Sequence, residues 1–511
     1  MSRFNHDTLL AISLLSALTP AGHALADPAD SAVLRSEAAL LRVSYEAVDI
    51  GPGETMGLAG AHYLVNIHPD WYIGTSAFGA LEGQRGGFFV GGFTAGTGVR
   101  FASKWLLDAG LFVGGGGGGA APQGGGMMVR PHLNLSRDIG KVMVGAGVSY
   151  VSFPDGDIDS TQFMLSFGVP FDLHYGRAID AGKSVQSGDL HGLRLMETEW
   201  LATVGEYHPA GDARTTAGVP MQATLERVGF EYRKHLDANR FAFIETAGAM
   251  GGQSDGFAEL LAGVGYRVPL GSERVHLSAS LAVGGAGGGQ VDTGGGLVAK
   301  ARVGLDYTLT PAIKLGLEAG RMESVGSFAA DIYGISLGYR LGELGSGEKD
   351  QPWPSGQDMK FAKWRLVGVH HTELDAARKN GSEQDLSLVG LKIDKYLSDY
   401  FYLTGQAHGA YSGGAGGYAI GLIGAGLEFP LREDRRLRLN AEITAGAAGG
   451  GGVDVAGGAV IQPQVGLTWQ INNRFAARLE AGRIHAVDGK LDSNVAGLGL
   501  IYEFSRPEYR Y

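Results

Sequence analysis

Three glycine-rich stretches are the first part of this sequence whose residues could do chemistry, because glycine-rich loops can cradle phosphate groups. They occupy residues 111–135, 281–305 and 443–467. A phosphate loop also requires Lys followed by Ser or Thr and a helix that begins at the loop, and none of the three stretches has either feature. We therefore interpret them as hairpins in which glycine lets two backbones approach closely or lets the hairpin fold inward. Six glycines mark these hairpins: Gly114, Gly119, Gly284, Gly289, Gly449 and Gly452.

Acidic residues and histidines are the next candidates, and both would bind metal ions. Asp155, Asp157 and Asp159 have calcium-like spacing, but the Glu that closes a calcium loop is missing, so we interpret them as a polar turn. A metal site needs three or four converging ligands, and the histidines of the C-terminal third are spread along several strands. We expect no metal and no cofactor. These histidines are His370, His371, His408 and His485.

The N-terminus predicts export from the cytoplasm. Arg3 precedes an apolar segment from about Thr8 to Leu18, and Ala24-Leu25-Ala26 is a small-residue cleavage site, so residues 1–26 are a predicted signal peptide. The chain has no Cys, which excludes stabilisation by disulfides. Its net charge is −11 without any basic run, so we expect no nucleic-acid partner.

Almost every other segment alternates apolar and polar residues with period two, which predicts strands with one apolar and one polar face. A Gly-x-Gly-apolar-charged-apolar motif begins at Gly96, Gly263 and Gly424, with spacings of 263 − 96 = 167 and 424 − 263 = 161 residues. The repeat is therefore domain-sized, and each copy holds about eight strands in up-and-down order. The predicted organisation is a signal peptide at 1–26, repeats at 27–175, 198–341 and 359–511, and linkers at 176–197 and 342–358.

The strand after each glycine hairpin separates two faces, one apolar and one polar. In the first repeat Val129 and Leu133 alternate with Arg130 and His132. A soluble sandwich would turn the polar face to water, whereas a membrane barrel would turn it to the lumen. We prefer the membrane barrel. The predicted lumen-lining residues are Arg130, His132, Arg267, Lys300, Arg302, Glu428, Arg438, Glu442, Gln462, Gln464, Arg478 and Glu480.

Aromatic residues gather beside the short turns, as in the girdles of transmembrane barrels. They are Trp71, Tyr72, Tyr307, Phe401, Phe429 and Trp469. The last strand ends with an aromatic-x-apolar pattern at Tyr502 and Phe504, and seven residues follow it. In these features the sequence resembles the bacterial outer-membrane β-barrel superfamily. The resemblance implies that the chain ends lie in the periplasm, that the glycine hairpins face outside, and that outer-membrane lipid and the barrel-assembly machinery are partners.

The sequence leaves open whether about 24 strands close once or three times. Eight strands make a barrel filled by side chains, whereas 24 strands in one ring would enclose a wide lumen. We prefer the single ring, with three tandem eight-stranded barrels as the alternative.

The leading functional hypothesis is an outer-membrane pore or export channel for hydrophilic solutes or a polymer, with the glycine hairpins as constriction or packing elements. The first alternative is a set of non-conducting tandem barrels that act as a surface scaffold or anchor. A lipid-modifying enzyme comes last, because no Ser–His pair recurs in the three repeats. We therefore expect no enzymatic activity.

We predict that cleavage after Ala26 leaves 511 − 26 = 485 residues with Asp27 at the N-terminus. The intact mass of the protein extracted from membranes checks this. Ala24→Arg removes a small residue that the signal peptidase requires, so we expect this variant to keep residues 1–26. A wild-type protein that still begins at Met1 would contradict the prediction.

Overall fold

The computed structural model describes residues 32–102, 104–346 and 359–510, which form 24 antiparallel strands and two short 3-10 turns. The predicted signal peptide lies outside the described residues, as does most of the predicted linker 342–358. No helix in the described part of the chain is long and apolar enough to cross a membrane.

The strands fall into three groups of eight. The first group is β1 (Arg35–Gly51), β2 (Glu54–His68), β3 (Trp71–Glu82), β4 (Phe89–Phe101), β5 (Trp105–Gly117), β6 (Met127–Ile139), β7 (Val142–Ser152) and β8 (Asp159–Arg177). The second is β9 (Leu193–Pro209), β10 (Leu225–His235), β11 (Arg240–Gly251), β12 (Ala258–Pro269), β13 (Val275–Gly287), β14 (Leu297–Thr308), β15 (Ile313–Ser324) and β16 (Ala329–Ser346). The third is β17 (Lys360–Ala377), β18 (Glu383–Tyr396), β19 (Phe401–Ser412), β20 (Ala419–Pro430), β21 (Leu437–Gly449), β22 (Ala459–Gln470), β23 (Phe475–Ala486) and β24 (Asp492–Arg510). The 3-10 turns are Ala178–Asp180 and Ser187–Leu190.

Each group closes on itself, because its first and last strands pair along their length. In the first group β1 pairs with β8 from Arg35 opposite Tyr175 to Glu46 opposite Met164. In the same way β9 pairs with β16, and β17 pairs with β24. The chain therefore forms three eight-stranded rings, and the single large ring that we preferred from the sequence is wrong.

The physical reason for the correction is that strand alternation is identical in a ring of eight and a ring of 24. What separates them is the partner of each terminal strand, which is a long-range contact. Between rings the pairing is short: β8 meets β24 only at Gly176 and Arg177, and β16 meets β24 at Leu341, Gly342 and Glu343. These contacts fasten closed rings together and do not merge them.

All three rings have polar interiors and apolar exteriors. On β22 Gln464 and Thr468 are buried, whereas Val465 and Trp469 are 56% and 65% exposed. At the hairpin end each interior also holds an apolar cluster, with Phe78, Phe88, Phe112 and Phe153 in the first ring. The second and third rings have equivalent clusters. This arrangement inverts that of a soluble protein.

The predicted aromatic girdle needs one correction. Trp71, Tyr307, Phe401, Phe429 and Trp469 are exposed on the outer faces, but Tyr72 is buried inside the first ring. Successive residues of a strand point to opposite faces, so adjacent Trp71 and Tyr72 cannot both belong to the girdle.

The last strand is longer than the sequence predicts. It continues past Phe504 to Arg510, and this extension pairs with both β16 and β17. Strands also enter the predicted linkers, since β9 begins at Leu193 and β16 ends at Ser346. These additions lie at the end of the rings that carries the short turns, which we call the short-turn end.

Candidate functional site

The twelve predicted lumen-lining residues all face the interiors of the rings, and none is more than 9% exposed. Two lie in the first ring, three in the second and seven in the third. They are surrounded by counter-ions and hydrogen-bond partners, which we call the ionic layers. The ionic layers lie between the apolar clusters and the short turns.

In the first ring Arg130 and His132 each bind a carboxylate. The Arg130 Nε donates to Glu46 Oε1 at 2.7 Å, and both side chains are buried. His132 Nε2 lies 3.4 Å from Asp108 Oδ1, which also accepts a hydrogen bond from Arg42 at 2.9 Å. The interior of the first ring therefore holds the buried ion pairs Arg130–Glu46 and Arg42–Asp108.

The second ring has the densest ionic layer. Lys300 Nζ lies 2.8 Å from Glu245 Oε1 and 2.7 Å from Glu259 Oε1. Arg302 donates to Glu231 and to Glu318, each at 2.9 Å. Because Lys300 and Arg302 each touch at least two acids, loss of either cation would leave buried carboxylates uncompensated, which is strongly destabilising.

In the third ring a lysine that the sequence analysis missed organises four of the predicted residues. Lys392 Nζ lies 2.7 Å from Glu442 and 3.2 Å from Glu480. Gln464 donates to Glu442 at 2.9 Å, and Gln462 donates to Gln464 at 2.7 Å. The amides extend the charged cluster toward the apolar end of the ring.

The other predicted residues of the third ring form a second cluster near the short turns. Glu428 accepts from Arg365 at 2.5 Å and lies 3.4 Å from Arg438. Arg478 lies 3.6 Å from Asp394, and its side chain is fully buried. The two clusters share Glu480, which lies 3.2 Å from Arg478.

The sequence analysis missed most of the counter-ions for one reason. Glu245 follows Phe241 and Phe243 on the inward face of β11, so the inward face of this strand has mostly apolar residues. A strand that passes from the apolar cluster into the ionic layer carries both apolar and charged residues on its inward face. Alternation of apolar and polar residues with period two then assigns the charged residues of such a strand wrongly. Complementary charge on neighbouring strands was the signal that could have identified them.

Arg267 lies at the mouth of the second ring, inside a set of residues that could otherwise hold a metal ion. Glu197, Glu199 and His235 offer ligand atoms within 4.8 Å of one another. The Arg267 guanidinium lies 3.1 Å from Glu197, 3.4 Å from Glu199 and 3.3 Å from His235. The cation at this position is therefore the arginine itself.

The four candidate histidines do not converge. His371 and His408 stack inside the third ring, with centroids 4.5 Å apart, whereas His370 contacts Tyr411 on the outer face. His485 lies 3.6 Å from Asp492 on an exposed surface.

A Ser–His contact that the sequence analysis missed is present in the first ring. Ser44 and Ser76 bind the two ring nitrogens of His62, at 2.9 and 2.8 Å, and Thr94 extends the chain. All four residues are buried, so a substrate could not reach them.

The glycine hairpins lie where the rings meet. A Cβ at Gly449 would lie 2.2 Å from the Gly256 backbone nitrogen of the second ring. Gly114 and Gly284 pack against the neighbouring strand of their own ring, where an added Cβ would lie 2.4 and 2.2 Å from a carbonyl oxygen. The others have positive φ. Gly119 and Gly289 turn over the loop between the third and fourth strands of their ring, and Gly452 lies beside Arg378.

The contacts between rings repeat in a cycle. A Cβ at Gly126 would lie 2.4 Å from Ala410 O of the third ring, and one at Gly296 would lie 2.4 Å from Ala80 O of the first ring. A Cβ at Gly458 would lie 2.3 Å from Ala249 O of the second ring. Each hairpin thus docks on the turn after the third strand of another ring, and all three hairpins and all three turns are used.

Backbone hydrogen bonds support two of these junctions. Gly86 N donates to Gly294 O at 2.9 Å between the first and second rings. Gly417 N donates to Gly116 O at 3.1 Å between the third and first rings. The junction between the second and third rings has instead an ion pair of Lys379 with Asp255 at 2.6 Å.

We predict that Gly449→Val weakens the junction between the second and third rings, because its side chain would collide with a backbone that cannot turn away. Overpacking of this kind costs about 1–3 kcal/mol. Gly421→Val is the matched control, since Gly421 lies on the outer face of β20 with no described atom within 4 Å of its Cβ position. Thermal unfolding followed by circular dichroism should show a lower midpoint for Gly449→Val alone. Equal midpoints for the two variants would contradict the prediction.

Comparison with known proteins adds little to this description. No family model and no curated protein match the chain. The siderophore receptor PirA from Acinetobacter baumannii aligns at 8% identity and a TM-score of 0.28, covering 93% of this chain and 81% of that one. The outer membrane protein OpdK from Pseudomonas aeruginosa aligns at 11% identity and a TM-score of 0.23, covering 92% and 98%. OccAB3 from A. baumannii aligns at 10% identity and a TM-score of 0.21, covering 92% and 99%.

Closed antiparallel rings leave no unpaired strand edge, their outer faces are apolar between aromatic girdles, and their charges are inside, as a barrel surrounded by lipid requires. The chain is an all-β protein whose described strands form closed antiparallel barrels with apolar outer faces and charged interiors.

Proposed function

We propose that this protein is a non-conducting outer-membrane scaffold built from three filled barrels. The observation that carries the proposal is the burial of the ionic layers. Arg227, Arg365 and Arg478 are among the largest fully buried side chains, and each pairs with a carboxylate on a strand that is not its neighbour in the ring: Glu318, Glu428 and Asp394, respectively. The geometry favours the alternative that the sequence left second and disfavours passage of solutes through the rings.

Opening a ring to hydrophilic solutes would require separation of buried ion pairs. Removing one partner of a buried pair typically costs about 3–5 kcal/mol. The apolar cluster at the hairpin end would also have to open, with Phe88 and Phe112 in the first ring. Small eight-stranded barrels are in general filled by side chains in this way.

We further propose that each ring corresponds to one sequence repeat, at residues 27–175, 198–341 and 359–511. The glycine hairpins then act as packing elements that hold the three repeats together, and not as constrictions of a pore. A rigid unit of this kind suits the display of loops at the hairpin end, which the resemblance assigns to the outer side of the membrane.

Planar bilayers test the proposal directly. We expect purified folded protein to give no conductance steps, because its ionic layers fill the rings. Flotation of proteoliposomes shows that the protein has inserted, and heat-modifiable migration on a gel shows that it is folded. Regular steps from inserted, folded protein would favour the pore hypothesis.

A second test concerns the independence of the rings. We expect the excised segment 359–511 to fold as a heat-modifiable barrel, because β17 and β24 close it without strands from the other rings. Its control is the segment 385–511, which lacks β17 and should not fold. Failure of 359–511 to fold in detergent while the full chain folds would contradict independent rings.

A further inference from the structure

At the short-turn end the second and third rings meet through charged residues on their outer faces. β16 pairs there with β24, and Trp200 of the second ring contacts Trp364 of the third ring with centroids 5.3 Å apart. We call this region the short-turn junction and define it by its ionisable residues: Arg194, Lys234, Glu343, Lys395, Arg506 and Glu508.

The two acids of the short-turn junction are already occupied. Glu343 lies 3.0 Å from Arg506 and accepts a hydrogen bond from Tyr232 at 3.1 Å. Glu508 lies 2.6 Å from Lys395 and accepts a hydrogen bond from the Trp364 indole at 2.7 Å. Each carboxylate thus already pairs with one cation, although the Glu343 Oε1 accepts no hydrogen bond from the described residues.

The other two cations have no counter-ion of their own. The side chains of Arg194 and Lys234 make no hydrogen bond or ion pair with any residue in the described part of the chain, and the Arg194 Nε is buried without a partner. Lys234 lies within electrostatic range of Arg194, Arg506 and Glu343. With four cations against two acids, the described residues of the junction carry a net charge of +2.

Space for a ligand exists beside Arg194. A cavity of about 420 Å³ is lined by Arg194, Leu195 and Met196, and extends to the mouth of the second ring. Both acids that line it are paired, Glu197 with Arg267 and Arg340, and Asp237 with Arg240. The cavity therefore presents a free guanidinium and apolar side chains together.

We propose that the short-turn junction binds the phosphate of an anionic phospholipid. Arg and Lys are the residues that bind phosphate oxygens, and excess positive charge between membrane barrels attracts anionic head groups. Trp200 and Tyr232 contact each other beside the junction, and aromatic residues are enriched at the level of the head groups. The site concerns a lipid and is independent of whether the rings conduct.

Lipid retention in native mass spectrometry tests the proposal. The full-length protein is reconstituted in equal amounts of phosphatidylglycerol and phosphatidylcholine, extracted into detergent and weighed. We expect one retained phosphatidylglycerol per chain and little phosphatidylcholine. Arg194→Gln with Lys234→Gln should reduce the retained phosphatidylglycerol about thirtyfold, since each Lys or Arg near a membrane surface strengthens the attraction of an anionic lipid about fivefold.

Matched variants distinguish lipid binding at the short-turn junction from a general attraction between positive charge and anionic lipid. Lys141→Gln with Arg274→Gln removes two exposed cations from short turns outside the junction, and it should retain the lipid as the wild type does. Arg194→Lys with Lys234→Arg keeps both charges and should also retain it. Heat-modifiable migration shows that each variant is folded.

Three results would overturn the proposal. The first is equal retention of both lipids by the wild type, and the second is an equal loss in the two Gln double variants. The third is displacement of the lipid by millimolar inorganic phosphate, which would identify a site for the free anion and not for a lipid.

Discussion

Buried charge is the constraint on which the rest of this structure depends. A carboxylate or guanidinium inside a barrel is removed from water, so it must be paired and hydrogen-bonded or it destabilises the fold. Lys300, Lys392 and Arg302 each bind two or more acids, and the strands that carry these acids must stay in register for the pairs to form. A slip of one residue would move every charge of a strand to the lipid face. The ionic layers thus specify the register of each ring as well as filling it.

Glycine allows the outer surfaces of the rings to associate. Barrels with apolar faces gain little from contact in lipid, because a lipid tail is as apolar as a leucine side chain, so association depends on close packing and hydrogen bonds. The absence of side chains at Gly126, Gly296 and Gly458 brings a backbone of one ring against a carbonyl of the next. Closed rings, which have no free strand edge, can then still form hydrogen bonds between their turns.

The fold and the site were predictable to the extent that they depend on local pattern. Alternation identified the strands, the inward position of Arg130 and Gln464, and the hairpin character of the glycine stretches. It failed where the outcome depends on distant partners. The pairing of β1 with β8 and not with β24, the counter-ion of Lys300, and the extension of β24 through Glu508 are all set by contacts between residues far apart in sequence. Tyr72 was misassigned for a local reason, since its neighbour Trp71 already occupied the outer face.

The cyclic order of the hairpins determines how substitutions can accumulate at the junctions between the three rings. Three separate copies of one barrel would have to meet by diffusion in the membrane at low concentration. Because the copies would be identical, any substitution would appear at all three junctions together. In a single chain the effective concentration is set by the linkers, so each junction can be individually weak. It can also diverge alone: the ion pair of Lys379 and Asp255 stands where the other two junctions have backbone hydrogen bonds. Fusion therefore gives this assembly three interfaces that are geometrically equivalent yet genetically independent.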